Sequence, residues 1–158
     1  MRVVIADTGP LNYLLLIDQI SLLPQLFETV HIPDTVRAEL ADAAAPQIVR
    51  SWIATPPPWL VIELTPAAMA PLPKLDAGEQ AAIALAVQLK ATLLLIDDRA
   101  GVRAALAQGL EVVGTLGILD RAARIGLVDL AACLTRLTAT NFRYRPQLLD
   151  ALLAQHKS

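Results

Sequence analysis

The chain has 158 residues, 55% of them hydrophobic and 18% charged, which fits one domain with an ample core and excludes a disordered chain. Aromatic residues make up only 4%, so the core must be aliphatic, and the single cysteine, Cys133, excludes an internal disulfide framework and a cysteine-based zinc site. The formal net charge of −2 hides a division: residues 1–98 carry 5 basic and 11 acidic side chains, whereas residues 99–158 carry 8 and 4.

Arg2 to Ala6 is a short β-branched run that reads as a buried strand and ends at Asp7. Thr8-Gly9-Pro10 turns the chain into an apolar helix, with Pro10 in the first turn, where its missing N–H costs nothing. Ser21 is placed to cap a short helix over Leu22 to Phe27, and Thr29 to Ile32 reads as a second strand. A helix follows over Pro33 to Ala43, with Val36 and Leu40 on its buried face and Glu39 beside them. Gln47 to Ala54 is a weaker helix, broken by Thr55-Pro56-Pro57-Pro58. Trp59 to Leu64 reads as an edge strand, and 66–74 as a loop.

Asp76-Ala77-Gly78-Glu79 starts the clearest helix, which runs to about Lys90 and is rich in Ala and Leu. Leu93 to Ile96 is the best central strand and ends at Asp97 and Asp98. A helix then runs to Gln108, with Gly109 as its C-terminal cap. Leu110 to Val113 is a last short strand. Leu116 to Ile125, Leu130 to Leu137 and Pro146 to Gln155 are helical. Strands alternating with helices predict an α/β fold, a mostly parallel sheet covered on both faces. No repeat, low-complexity tract or linker divides the chain, so a single domain over 1–158 is expected.

A mean hydropathy of +0.52 is high, yet no apolar run approaches the ~20 residues of a membrane span. With no signal-peptide pattern at the N-terminus, the expectation is a cytoplasmic protein without membrane attachment.

In open α/β sheets, ligands bind at the carboxyl ends of the strands, where Asp7 and the Asp97, Asp98 pair fall. Each acid has a plain structural reading. Asp7, Asp97 and Asp98 are placed to cap helices, Asp76 and Glu79 form an Asp-x-x-Glu capping box, and Glu39 can be a solvated helix residue. Their combination favours a shared site, because crowded carboxylates repel one another unless a cation neutralises them. Magnesium and manganese take oxygen ligands; such a metal can polarise a phosphodiester and acidify a water. His31 and His156 lie far apart without a companion motif, and Cys133 sits in an apolar helix. Phosphate-binding and nucleophile-elbow glycine motifs are absent.

Five stretches, VVIADTGPLNYL, HIPDTVRAEL, LDAGEQAAIALA, LLLIDDRAGVRAA and GLEVVGTLGILDRAARIGLV, resemble the PIN-domain ribonucleases, in particular a prokaryotic subgroup similar to VapC-type toxins. The resemblance covers about residues 3–128 and leaves 129–158 as a C-terminal helical extension. It implies a three-layer α/β/α sandwich and a site of three or four acids that binds Mg2+ or Mn2+ and cleaves single-stranded RNA. By motif the catalytic acids are Asp7, Glu39, Glu79 and one of the Asp97, Asp98 pair, with Asp98 favoured. The metal ligands would come from Asp7, Asp97 and Asp98. Thr8, Arg99 and Arg103 would contact substrate. Arg121, Arg124, Arg143 and Arg145 are candidates to guide the RNA backbone, and Tyr144 to stack on a base. The resemblance also implies a possible toxin role with an antitoxin protein, and the Ala- and Leu-rich helices suggest a homodimer.

Two rival readings stand beside this one. A PIN fold can keep its pocket and serve as a metal-binding or protein-interaction module without nuclease activity. A phosphotransfer receiver would carry its acid pair after the first strand, whereas here the pair follows a late one, and no lysine stands at the end of the last strand.

Overall fold

The computed structural model describes residues 2–67, 72 and 74–156. Most of the loop expected over 66–74 lies outside them, as do both ends of the 1–158 domain span.

Among the described residues five strands form one sheet: β1 (Val4–Ala6), β2 (Val30–Pro33), β3 (Leu60–Glu63), β4 (Leu93–Leu95) and β5 (Val112–Val113). They are all parallel, in the order β3-β2-β1-β4-β5. Side chains of a strand alternate between faces, and the core divides accordingly. Val4, Ala6, Leu93 and Leu95 enter the larger apolar cluster, while Ile5, Leu94 and Ile96 enter the smaller one on the opposite face. Strands buried on both faces need apolar side chains at every position, which is why VVIA and LLLI read as continuous runs.

The helices α1 (Thr8–Leu16), α2 (Leu22–Phe27), α3 (Asp34–Ala41) and α4 (Gln47–Ala54) contribute to the larger cluster. So do α7 (Thr115–Arg124), α8 (Leu130–Thr138) and α9 (Pro146–Gln155). The smaller cluster is built from α5 (Ala77–Gln88) and α6 (Arg99–Ala107). Helices on two faces of one sheet make a three-layer α/β/α sandwich. Each fully buried Leu or Ile in these layers contributes about 1.5–3 kcal/mol relative to exposure.

Ser21 sits before α2 but makes no side-chain cap bond. Its own backbone is already helical (φ −66°, ψ −11°), whereas capping needs an extended residue. Gly109 does close α6, at φ +80°, a conformation glycine adopts without strain.

The strand order creates a switch point. From β1 the chain steps outward to β2 and β3, then returns to the other side of β1 for β4 and β5. The crevice of such a sheet opens at the carboxyl ends of the two strands where the direction reverses, here β1 and β4. Among the described residues no helix is long and apolar enough to cross a membrane.

Candidate active site

Asp7 follows β1, and its backbone N–H donates to the Leu95 carbonyl of β4 at 2.8 Å, which fixes it at the switch point. It stands at the head of α1 but its side chain caps nothing. It is only 5% exposed, and its Oδ1 has no hydrogen-bond partner. Burial pushes its carboxyl well above the usual range. The Thr8 backbone N–H partly offsets this, and the charges of Asp76, Glu79 and Glu39 add to it. A buried acceptor without a donor is costly, and a bound cation would relieve that cost.

Glu39 arrives from α3. Its Oε1 accepts from the Thr8 hydroxyl and its Oε2 from the Gly78 N–H at 2.9 Å. The approach is so close that a Cβ on residue 78 would overlap the carboxylate. Glycine is therefore required there for packing, not for backbone freedom.

Glu79 and Asp76 open α5 with a reciprocal capping box. The Glu79 N–H donates to Asp76 Oδ1 at 2.8 Å, and the Asp76 N–H donates to Glu79 Oε1 at 2.9 Å. The pair thus forms the predicted capping box and also lines the cleft described below. Glu79 is buried, and burial first of all lifts its carboxyl to about 7. Contact with the Asp98 carboxyl and the charges of Asp76 and Asp98 raise it as well, against the lowering effect of the Asp76 N–H.

The Asp97, Asp98 pair divides its work. Asp98 caps α6, accepting from the Gly101 N–H at 3.1 Å. Asp97 is half-buried and bonded to the first residue of α7, taking the Thr115 N–H at 2.7 Å and the Thr115 hydroxyl at 2.6 Å. Burial raises its carboxyl, and these two bonds hold it down.

All these acids line one cleft of about 900 Å³, together with Thr8, Tyr13, Arg99, Asn141, Phe142 and Arg143. The fold therefore brings together Asp7, Glu39, Glu79, Asp97, Asp98, Thr8 and Arg99. Arg103 is exposed on α6 and lines no part of this cleft. Arg124 is bound to Asp120 at 3.0 Å and to Gln155, away from the acids. His31 pairs with Glu63 and His156 with Asp120, both outside the cleft, and Cys133 is buried in α8.

Asp76 joins the cleft as a sixth acid, where the sequence suggests only a cap. Its signal is the same Asp-x-x-Glu spacing, which serves both purposes. Tyr13, Asn141 and Phe142 carry no sequence signal for the site. Tyr13 and Phe142 meet edge to face, with ring centroids 5.0 Å apart, and the Tyr13 hydroxyl donates to Asn141 at 3.0 Å.

The donor set is all oxygen, which suits a hard divalent cation. Among the described residues, no three His, Cys, Asp or Glu side chains are arranged to hold a metal as they stand. Glu39, Glu79, Asp97 and Asp98 each accept hydrogen bonds within the protein, whereas Oδ1 of buried Asp7 has no hydrogen-bond partner. The residues fit such a cation in kind, and the unpartnered Oδ1 of Asp7 is the oxygen that would meet it.

Comparison with known proteins agrees with this architecture. A family model described as a PIN domain (DUF3368) matches residues 3–158, past residue 128 where the recognised motifs end. No curated protein and no solved structure matches the chain. PIN domains have a nuclease-type fold and are typically hydrolases. By its sequence match and its parallel α/β/α sandwich, the chain belongs to the PIN-domain family.

Proposed function

We propose that the chain is a metal-dependent endoribonuclease that hydrolyses phosphodiester bonds of single-stranded RNA. The observation that carries this reading is the unpartnered Oδ1 of buried Asp7 at the heart of a six-acid cleft rimmed by arginine. Mg2+ or Mn2+ held there by Asp7, with Asp97 and Asp98, would polarise the phosphodiester and acidify a water.

The chain's own residues do the rest. Glu39 and Glu79 complete the acidic pocket, and Thr8 orients Glu39. Glu79, with its carboxyl lifted to about 7, can exchange a proton near neutrality. Arg99, at the mouth of the cleft, can take a phosphate oxygen.

The test is cleavage of a panel of single-stranded RNAs with Mg2+ or Mn2+, comparing the wild type with Asp7→Asn. We expect cleavage that requires the metal and is abolished in the variant; equal rates for the two proteins would sink the proposal. The likeness to VapC-type toxins extends the reading to a cytoplasmic toxin with an antitoxin partner, testable by co-purification with the product of the neighbouring reading frame.

A second reading, a PIN-fold interaction module, has its own support. Ile62 and Leu64, on and just after the edge strand β3, are 36% and 83% exposed, and Ile48 of α4 is 51% exposed. Such side chains suit a homodimer interface. The Ala-rich α5 supplies less for one than its composition suggests, because most of it is buried against the sheet. Tight Mn2+ binding by calorimetry without cleavage of any RNA would favour this second reading.

A further inference from the structure

Beside the acidic cleft lies a second groove of about 810 Å³, walled by the segment from Phe142 to Leu148. Asp97, Arg99, Phe142 and Arg143 line both cavities, so the two are continuous. The charge reverses along the way. The cleft is dominated by carboxylates, whereas the groove gathers Arg99, Arg143 and Arg145 against Asp97 alone, whose oxygens are taken by Thr115. Among the described residues none of these three arginines forms an ion pair.

The segment that carries them is fixed at both ends. Phe142 rests on Tyr13 and Asn141 accepts the Tyr13 hydroxyl, while Pro146 begins α9, whose Leu149 is buried. Between these anchors Arg143, Tyr144 and Arg145 are all exposed, Tyr144 by 41%. A ring alternating with guanidinium groups matches the chemistry of a nucleotide chain, a flat base alternating with an anionic phosphate. A duplex keeps its base faces stacked inside, so a ring at this position suits a single strand.

We propose that this groove is a subsite for the single-stranded RNA flanking the cleaved bond, with Tyr144 stacking on a base and Arg99, Arg143 and Arg145 holding backbone phosphates. This rests on reading the chain as a nuclease of single-stranded RNA, and it assigns where the strand runs once it leaves the acids. Arg121 and Arg124 line neither cavity and take no part in this path.

The test is fluorescence anisotropy of a labelled oligouridine about ten nucleotides long, in EDTA so that binding is read without cleavage. Tyr144→Ala should weaken binding roughly fivefold to a hundredfold, with the salt dependence kept, while Tyr144→Phe binds as the wild type does. The paired Arg143→Gln, Arg145→Gln variant should lower the slope of log K against log salt by about 0.7 for each phosphate it no longer neutralises. The exposed Arg37 of α3 lines neither cavity, and Arg37→Gln should leave the slope alone. Absence of oligouridine binding by the wild type at low salt overturns the subsite. An unchanged affinity in Tyr144→Ala together with an unchanged slope in the arginine variant also overturns it, and assigns the groove to another ligand such as a partner protein. Cleavage of the RNA panel is scored separately, so the nuclease reading can stand where the subsite falls, and binding without any cleavage would mark the failure of the nuclease reading instead.

Discussion

Thr115 holds Asp97 by both carboxylate oxygens, its backbone N–H reaching one at 2.7 Å and its hydroxyl the other at 2.6 Å. The pair ties the end of β4 to the start of α7, and Thr115 is fully buried. Thr115→Val keeps the shape and the N–H but removes the hydroxyl. A hydrogen bond to a charged group is worth about 1.5–3 kcal/mol, so urea unfolding should show a loss of that order. Thr115→Ser should recover most of it. A valine variant as stable as the wild type would show that the hydroxyl bond contributes nothing.

Gly78→Ala separates stability from function. Alanine is the better helix former, by about 0.8–1 kcal/mol in a helix interior. Its Cβ, however, would collide with the Glu39 carboxylate and push it from the Gly78 N–H and the Thr8 hydroxyl. The expected outcome is a melting temperature close to that of the wild type, with RNA cleavage down roughly ten- to a hundredfold, as when a group that orients a metal site is removed. Full cleavage by the variant would remove Glu39 from the site.

Asp7→Asn should stabilise the metal-free protein. The wild-type carboxylate is buried among like charges with one oxygen unpartnered. The amide removes the charge and supplies donors to the neighbouring carboxylates. We expect a gain of about 1–2 kcal/mol in EDTA by thermal or urea unfolding, together with loss of metal-dependent cleavage. A destabilised variant would mean that Asp7 is held by interactions that asparagine cannot reproduce.

The pH dependence follows from the same crowding. The folded state holds Glu79 protonated up to about 7, whereas an unfolded glutamate releases its proton near ~4.3. Between those values the native state binds more protons, so metal-free stability falls as pH rises through that window and levels off above it. The raised carboxyl of Asp7 acts in the same direction. A divalent cation competes with those protons, so Mn2+ should raise the melting temperature more at about pH 8 than at about pH 5. An equal rise at both pH values would place the metal elsewhere.

Much of this fold can be read in the sequence because its strands are buried on both faces. Val4–Ala6 and Leu93–Leu95 have no polar position to blur the pattern. The strand-end acids are legible for the same reason, as the first charges after an apolar run. Glu39 is different: nothing local separates it from a solvated helix residue, and only the five-stretch resemblance joins it to Asp7. Its reach across to Gly78 depends on how α3 and α5 pack. Asp76 is hidden by its own capping role, since a cap and a cleft acid share one spacing. The wall formed by Asn141 and Phe142 could not be foreseen, because it depends on one aromatic pairing with Tyr13, far away in the sequence.

The return of the chain to the far side of β1 also bears on how the protein is made. Val4 pairs with Leu93, and Asp7 is tied to Leu95, so the edge of β1 that faces away from β2 must wait for a partner synthesised much later. Parallel pairings across such separations are slow to form, because loop closure must be achieved before any native interaction rewards it. The acids therefore converge only after β4 has emerged from the ribosome, and Asp97 finds Thr115 later still. A growing chain therefore carries the first of its acids without an assembled cleft around it.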